Sequence, residues 1–292
     1  MRDLFQPGRS TVHAPSGMAA TSHPLSTSTA LKMLQKGGNA MDAAIAAVAV
    51  QCVVEPQSTS IGGDCFCLYS PMGQGVIGYN GSGAAPNAAS VDWYIENGIN
   101  HIEQQTPHSV TIPGAVDAWA QLLADHGTMN LGDLLLPAIE YARKGAPINH
   151  RQSYDWGLCE DLLSGDLTSR EQYLVNGKAP KMGAMVKLPL LAKTLEYIAE
   201  KGRDGFYSSW VAEDIVSHLK GLGGLHTLDD FTSYTGKYVT PIHTNYRGFD
   251  VYECPPNGQG IVALAALNIL SGFDMTKYEP VSVDRLHLEI EA

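Results

Sequence analysis

Residues 37–50 read GGNAMDAAIAAVAV, and this stretch decides the fold of the chain around it. Alanine is the best helix former and leaves a flat surface for close packing, so the stretch predicts a buried helix. Asn39 is a suitable N-cap, and the Asp42 carboxylate lies in the first turn, where the helix dipole stabilises a negative charge. A shorter helix is predicted before it, over residues 26–34, because apolar side chains recur there on one face and a lysine and two glycines follow.

A turn and two strands follow the alanine-rich helix. Residues 56–69 read PQSTSIGGDCFCLY, which predicts a turn of small residues and then an apolar strand. Gly62 and Gly63 permit backbone angles that side chains forbid. Residues 76–79, VIGY, predict a second strand that leads into residues 80–86, NGSGAAP.

GGNAMDAAIAA followed by PQSTSIGGDCFCLY resembles the large-subunit core of the gamma-glutamyltranspeptidases, which are self-cleaving N-terminal-nucleophile hydrolases. The resemblance continues along nearly the whole chain, through residues 108–119, 131–142, 206–207, 223–230 and 254–260. It implies a fold of the α/β (α+β) class, namely the α/β/β/α sandwich of N-terminal-nucleophile hydrolases. In this chain the sandwich would be incomplete, with a helix-rich region at about residues 108–235. Residues 1–292 would then form a single large-subunit portion, and the C-terminal small subunit would be absent from it.

Composition narrows the functional classes. Hydrophobic residues make up 44% and charged residues 17% of the 292 residues, as in a folded globular protein. The formal net charge of −11 gives a nucleic-acid partner no electrostatic support. The N-terminus carries no apolar stretch of signal-peptide length and no run is long enough to span a membrane, so we expect a cytoplasmic protein without a membrane partner.

The five cysteines do not predict a disulfide framework or a zinc site. They are Cys52, Cys65, Cys67, Cys159 and Cys254, an odd number without regular spacing. Cys65 and Cys67 have strand spacing and point to one face, and zinc would need further cysteines or histidines nearby. We expect small buried side chains, no metal and no cofactor.

Several local patterns predict elements outside these motifs. Residues 1–16 predict an irregular arm and residues 17–20 a short strand, with His23 a polar residue at the strand end. Residues 237–246 predict one strand that forms a hairpin with residues 249–253 through Arg247-Gly248. Residues 283–292 predict a helix without a terminal glycine or proline, an end typical of a truncated helix.

The resemblance implies that the nucleophile lies outside this chain. In the family, the precursor cuts itself, and the new N-terminal threonine of the small subunit serves as nucleophile and base. That cleavage site lies downstream of the region that matches Ala292, so we assign no catalytic residue here. Thr111 and Thr227 fall at structural positions of the family pattern.

Ser82 is the one substrate-binding residue that we predict. The family carries Asp-(Gly/Phe)-Arg-Glu-x-Ala-Pro, in which the arginine binds the α-carboxylate of the glutamyl group through two parallel hydrogen bonds. Here residues 80–86 read NGSGAAP, so that Ser82 replaces the arginine and Gly83 the glutamate. Either another residue supplies the cation or the acyl group is different, and sub-branches similar to this one act on small amides such as oxamate.

Three functions remain open at this point. The first is an autoprocessed amide hydrolase or acyltransferase of this family with unusual acyl specificity. The second is an ordinary glutathione hydrolase or gamma-glutamyltransferase, and the third is an inactive scaffold or binding module. The first two imply a small amide or γ-glutamyl substrate, the small subunit of the same precursor as partner, and a possible homo-oligomer.

Overall fold

The structure, a computed structural model, describes residues 11–292. Helices dominate this part of the chain. The α-helices are α1 (Pro24–Gln35), α2 (Ala40–Val54), α3 (Val91–Glu96), α4 (Ala115–His126), α5 (Leu131–Lys144), α6 (His150–Leu158), α7 (Glu160–Ser164), α8 (Leu167–Tyr173), α9 (Pro189–Lys201), α10 (Asp204–Tyr207), α11 (Trp210–Gly221), α12 (Leu228–Ser233), α13 (Gly260–Leu270) and α14 (Val283–Glu291). Two short 3-10 helices cover Pro107–Ser109 and Met275–Lys277.

The strands form small antiparallel sheets. They are β1 (Cys65–Tyr69), β2 (Ile77–Gly81), β3 (Ala146–Pro147), β4 (Met185–Val186), β5 (Lys237–Val239), β6 (Ile242–Tyr246) and β7 (Phe249–Glu253). One sheet has the order β1-β2-β5, and β3-β4 and β6-β7 form pairs. In the first sheet Tyr79 lies opposite Cys67 on one side and Tyr238 on the other, which fixes its register.

The chain falls into two compact units. One contains residues 11–16, Cys65–Gly81 and Gly236–Ala292, and includes the three-stranded sheet, the β6-β7 hairpin, α13 and α14. The other contains Gly17–Asp64 and Ser82–Thr235 and is mostly helical, which confirms the helix-rich middle. The assignment of residues 1–292 to a single large-subunit portion stays a prediction.

Helix α2 forms as its sequence predicts and is the core of the helical unit. The Asn39 side chain accepts hydrogen bonds from the backbone N–H groups of Met41 and Asp42, and the Asp42 carboxylate accepts one from the Asn39 N–H, which completes a capping box. Eleven of its fifteen residues are buried, and α1 and α5 pack against it. Small side chains allow this close approach on several faces at once.

Two predictions of local structure need correction, and a third can be compared with the structure only in part. Residues 17–20 form no strand, and His23 is instead the N-cap of α1, where its Nδ1 accepts a hydrogen bond from the Leu25 N–H over 3.1 Å. The strand predicted over residues 237–246 is interrupted between β5 and β6, at Thr240 and Pro241, because proline has no N–H to donate to a ladder. The irregular arm is seen only at residues 11–16, since residues 1–10 lie outside the described residues.

Among residues 11–292, no helix is both long and apolar enough to cross a membrane. The hairpin of β6 and β7 through Arg247-Gly248 and the helix predicted at residues 283–292 are confirmed. Helix α5 is continuous through Pro137.

Candidate active site

The segment from Ser82 to Pro86 is held by backbone hydrogen bonds from three directions. The Tyr234 hydroxyl donates to the Ser82 carbonyl over 2.9 Å. The Gly83 N–H donates to Asp64 Oδ1 over 3.3 Å, and the Ala84 carbonyl accepts from the Ile112 N–H over 2.8 Å. The half-buried Ser82 is therefore presented on a segment with a fixed backbone path.

Gly83 has no room for a side chain. A β-carbon at this position would lie 2.5 Å from Thr111 Oγ1 and 2.8 Å from Thr111 Cβ, and closer still to the Ile112 carbonyl oxygen. Such distances force the backbone to move, because the Ile112 carbonyl oxygen is a main-chain atom and the Thr111 Cβ is bonded directly to the main chain. The glutamate that the family pattern carries here is therefore incompatible with this backbone.

The Gly62-Gly63 turn is joined to the start of α4. The Gly63 carbonyl accepts hydrogen bonds from the N–H groups of Gly114 and Ala115, each over 3.0 Å. These two donors have no partner within α4, so the turn supplies the acceptor that the helix end needs. The segments around residues 62 and 114 are distant in sequence but are joined by these hydrogen bonds. Through Asp64 and Ile112, they also hold the backbone of residues 83 and 84.

A partly buried ion pair adjoins Tyr234, whose hydroxyl holds Ser82. Arg203 forms a short Nε contact with the carboxylate of Asp117, and its terminal nitrogen donates to the Tyr234 carbonyl. Asp117 is 4% exposed. The Arg203 guanidinium also stacks over the Tyr207 ring, 4.4 Å from the ring centroid. Arg203 is thus neutralised by Asp117 and engaged by neighbouring groups.

Tyr207 completes this buried network. Its hydroxyl donates to the Pro113 carbonyl over 2.6 Å and accepts from the Asp117 N–H over 3.1 Å. Burial raises the pKa of the Tyr207 phenol far above its ordinary value, so the group stays protonated and serves as a donor. The ring of Tyr207 stacks on that of Tyr234, whose hydroxyl holds Ser82.

The two threonines identified in the sequence have structural roles. Thr111 lies against Gly83, as described above. Thr227 caps α12 in a capping box with Asp230, whose other oxygen accepts from the Asn87 N–H over 2.9 Å. Burial alone would raise the pKa of the Asp230 carboxyl, but hydrogen bonds from Asn87 and Thr227 outweigh it and hold that pKa below its usual value.

The first two residues of the NGSGAAP segment, Asn80 and Gly81, lie in the sheet-containing unit. There the Asn80 amide donates to the Pro255 carbonyl over 3.0 Å and to Asn257 Oδ1 over 2.7 Å. Residues 254–260 are therefore a turn that supports the end of β2, and Gln259 is the N-cap residue of α13 without a side-chain cap hydrogen bond.

The cysteines form no disulfides in the part of the chain that the structure describes. Cys52 is buried, and the other four are half-buried. Burial raises the pKa of the Cys67 thiol, and the neighbouring Cys254 adds to the effect. Within residues 11–292, no group of three or more His, Cys, Asp or Glu side chains is arranged to hold a metal ion.

Sequence reasoning missed the residues that position Ser82. Tyr234 lies 152 residues from Ser82, and Arg203 lies 86 residues from Asp117. No local pattern connects such positions. Asp64 carried a weak signal, because it directly follows the Gly62-Gly63 turn.

The family described as gamma-glutamyltranspeptidase matches residues 26–292. The chain therefore belongs to the gamma-glutamyltranspeptidase family. It resembles the solved structure of Helicobacter pylori gamma-glutamyltranspeptidase with a TM-score of 0.89 and 28% identity, over 97% of this chain and 82% of that one. This likeness and the mixture of helices and sheets confirm the predicted fold class.

Two curated relatives bear on specificity. The chain is 38% identical over 277 residues to the glutathione hydrolase-like YwrD proenzyme of Bacillus subtilis, covering 94% of this chain and 52% of that protein. It is 31% identical over 282 residues to the oxamate amidohydrolase proenzyme of Klebsiella pneumoniae, covering 94% and 53%. The chain spans about half the length of the curated relatives it matches.

Proposed function

We propose that this chain is the large-subunit part of an autoprocessed amide hydrolase or acyltransferase that acts on a small amide. Its small subunit would come from the same precursor and carry the N-terminal threonine nucleophile. Ser82 would line the acyl pocket. The names of both relatives above include the word proenzyme, which supports a precursor that matures by cleavage.

The observation that carries the acyl specificity is the pair Ser82 and Gly83. A serine hydroxyl is short, neutral and a single donor, whereas a bound α-carboxylate needs a charged fork to offset its desolvation. Gly83 cannot be replaced by the family's glutamate without moving the Thr111–Ile112 backbone. The glutamyl-binding arginine of the family pattern is therefore missing at Ser82, and the glutamate that follows it in that pattern has no room at Gly83.

Arg203 is a poor substitute for the lost cation. Its charge is paired with Asp117, and one terminal nitrogen donates to the Tyr234 carbonyl. The other terminal nitrogen lies 3.8 Å from Asp204 Oδ1, and the guanidinium covers the Tyr207 ring. Freeing a guanidinium from a buried carboxylate would leave that carboxylate without its partner, at a cost of about 3–5 kcal/mol. This argues for a smaller acyl group, and against a glutamyl group whose carboxylate is bound by Arg203 instead.

The chemistry we propose follows from an N-terminal threonine. Its hydroxyl oxygen would attack the amide carbonyl carbon while its own α-amino group takes the proton. The carbon–nitrogen bond then breaks, the amine or ammonia leaves with that proton, and an acyl ester remains on the threonine. Water or an acceptor amine would release the acyl group and restore the hydroxyl.

Uncovered apolar surface supports a partner subunit. Helix α13 is strongly apolar, yet Leu264 is its one buried residue, and Ile261, Val262 and Ile269 are 64%, 58% and 51% exposed. Helix α14 exposes Val283 by 82% and Ile290 by 78%. Contiguous exposed apolar side chains of this kind mark a surface that another chain covers.

A glutathione hydrolase is the second candidate, because the 38% identical relative is named as glutathione hydrolase-like. The two candidates share autoprocessing and differ in the acyl group. An inactive scaffold is the third, and it requires that no threonine-bearing subunit joins this chain.

The test is a time course of the full-length precursor. Purified precursor without added protease should convert into two chains on electrophoresis, and amidase activity should rise with that conversion. A single band with full activity would contradict the family mechanism, and two bands without activity on any short amide or γ-glutamyl compound would favour the scaffold.

A further inference from the structure

Asp64 places a negative charge beside Ser82, on the segment that the proposed function assigns to the acyl pocket. The residue follows the Gly62-Gly63 turn, and it is exposed. Its Oδ1 accepts the Gly83 N–H over 3.3 Å, and that nitrogen belongs to the peptide bond that joins Ser82 to Gly83. The carboxylate of Asp64 is therefore adjacent to the position at which the family pattern has an arginine.

One hydrogen bond leaves most of this carboxylate available to a bound molecule. A carboxylate has two oxygens, with about four lone-pair sites for hydrogen bonds. Within residues 11–292 the Asp64 side chain forms no ion pair, and the Gly83 N–H is its one hydrogen-bond donor. Asp42 is the contrasting structural case, because it is fully buried and accepts from the Thr128 hydroxyl and from backbone N–H groups.

The other side chains at this place are neutral. Ser82 precedes Gly83 in the sequence, and Thr111 Oγ1 would lie 2.5 Å from a β-carbon on Gly83, so that two hydroxyl groups adjoin this glycine. Arg203, the cation of the neighbouring network, is already paired with Asp117. The surface beside Ser82 therefore has a negative electrostatic character, the opposite of what an arginine would give it.

We propose that Asp64 recognises an ammonium group on the acyl part of the substrate. The inference rests on the proposed function, because it requires that Ser82 lines the acyl pocket. The substrate class is then an aminoacyl amide, which is a short acyl chain with an ammonium at one end and the scissile amide at the other. An ammonium group has three donors, and the oxygens of Asp64, Ser82 and Thr111 can each accept from one of them.

The same arrangement selects against a carboxylate on the acyl chain. A carboxylate would face the like charge of Asp64, and it would lose hydration without gaining a cation. A γ-glutamyl group carries an ammonium and a carboxylate on one carbon, so that the attraction of the first is offset by the repulsion of the second. Asp64 therefore adds to the discrimination against γ-glutamyl donors that Ser82 provides.

The test measures ammonia release by the full-length, matured protein from matched primary amides. The ammonium compounds are the amides of glycine, β-alanine and γ-aminobutyrate, and each is compared with the amide in which a methyl group or a carboxylate replaces the ammonium. At the chain length that fits, kcat/KM for the ammonium compound should exceed that of both partners by at least about tenfold, as expected for a hydrogen bond between charged groups. The preference should shrink as salt is added, because Asp64 is exposed.

Asp64→Asn separates recognition of the ammonium from support of the backbone. Asparagine keeps an oxygen that can accept the Gly83 N–H, so the melting temperature should change by less than about 2 °C. KM for the ammonium amide should rise about tenfold with kcat nearly unchanged, because the contact is made in the ground state as well as in the transition state. KM for the carboxylate amide should fall. Asp214→Asn, on the exposed surface of α11, removes the same charge elsewhere and should change none of these values.

Each of the following results would overturn the proposal. A wild type that prefers oxamate or another carboxylate-bearing amide would exclude an ammonium site at Asp64 and leave the proposed small-amide hydrolase intact. An unchanged KM in Asp64→Asn, or the same change in Asp214→Asn, would show that Asp64 does not contact the acyl group. Equal losses for all three kinds of amide in Asp64→Asn, with a lower melting temperature, would give Asp64 a structural role alone. A preference for a γ-glutamyl anilide over every short amide is the separate result that would refute the proposed function, and the ammonium site with it.

Discussion

Gly83 lies so close to Thr111 that a β-carbon on it would stand 2.5 Å from Thr111 Oγ1. The absence of a side chain at this position is therefore a requirement of the backbone path, and not a neutral replacement of the family's glutamate. Of the two positions that depart from the family pattern, Ser82 and Gly83, it is Gly83 whose replacement would force the neighbouring segment to move. The first prediction tests this asymmetry.

Gly83→Ala should lower the free energy of unfolding by about 1–3 kcal/mol, because the new methyl group collides with Thr111 and the Ile112 carbonyl. Gly62→Ala is the matched control, because the φ of Gly62 lies outside the left-handed region that the sequence suggested and its β-carbon would meet nothing nearer than Ser60 Oγ at 3.7 Å. That variant should keep its stability or gain about 0.4–1 kcal/mol. Urea unfolding of both proteins measures the difference, and equal stability of the two variants would refute the steric account.

Asp42 should be a major contributor to stability. Its fully buried carboxylate accepts hydrogen bonds from the Asn39 N–H, the Met129 N–H and the Thr128 hydroxyl, over 2.7, 3.0 and 2.6 Å. Asp42→Asn turns one acceptor into a donor that faces other donors, and should cost about 2–4 kcal/mol in urea unfolding. Asp125→Asn, on the exposed face of α4, should change stability by less than about 0.5 kcal/mol.

The same carboxylate predicts a pH dependence. Burial alone would raise the pKa of Asp42, but the hydrogen bonds from Thr128, Asn39 and Met129 outweigh it and hold that pKa below its ordinary value of 3.8. The unfolded state therefore binds the proton more readily, and the contribution is complete above the unfolded pKa and lost as pH falls through the folded one. The stability gap between wild type and Asp42→Asn should shrink below about pH 4, and a gap that widens there would contradict this sign.

Arg203 should contribute to the stability of the fold and not to recognition of the acyl group. Arg203→Lys loses the fork that joins Asp117 to Tyr234, and should cost about 2 kcal/mol, whereas Arg143→Lys, in an exposed pair with Glu196, should cost less than about 0.5 kcal/mol. In Arg203→Lys the ratio of kcat/KM for a γ-glutamyl anilide to that for a short amide should stay unchanged. A selective loss of γ-glutamyl turnover would instead identify Arg203 as the missing cation.

The exposed face of α13 should contact the small subunit. Ile261→Ser and Ile269→Ser should each reduce the amount of small subunit that copurifies with the large one, because apolar area that binding would bury becomes polar. Leu190→Ser, at a leucine of α9 that is 57% exposed, serves as control and should leave copurification unchanged. Full retention of the small subunit in both isoleucine variants would remove α13 from that interface.

Helix caps and turns could be predicted where the residues that form them are adjacent in the sequence. The cap at Asn39 and the turn at Arg247-Gly248 depend on adjacent residues and appear as expected. A single proline broke the predicted strand over residues 237–246, because the missing N–H outweighed the alternating pattern.

The environment of Ser82 could not be predicted in the same way. Tyr234 and Asp64 reach residues 82–83 from positions far along the chain, and the closeness of Gly83 to Thr111 depends on how those segments pack. The motif gave the position of Ser82 through the resemblance. The support around it comes from tertiary contacts that no sequence period encodes.

The most direct test of the proposed function is kcat/KM of the mature enzyme for a γ-glutamyl anilide and for a panel of short amides that includes oxamate, in wild type and Ser82→Arg. Ser58→Arg, at an exposed serine, controls for the added charge. Wild type should favour a short amide, and Ser82→Arg should shift the ratio toward the γ-glutamyl donor at least about tenfold, whether by gaining a carboxylate contact or by obstructing the smaller acyl group. A wild type that prefers the γ-glutamyl donor by several orders of magnitude, with neither substrate affected by Ser82→Arg, would contradict the account and establish the glutathione hydrolase in its place.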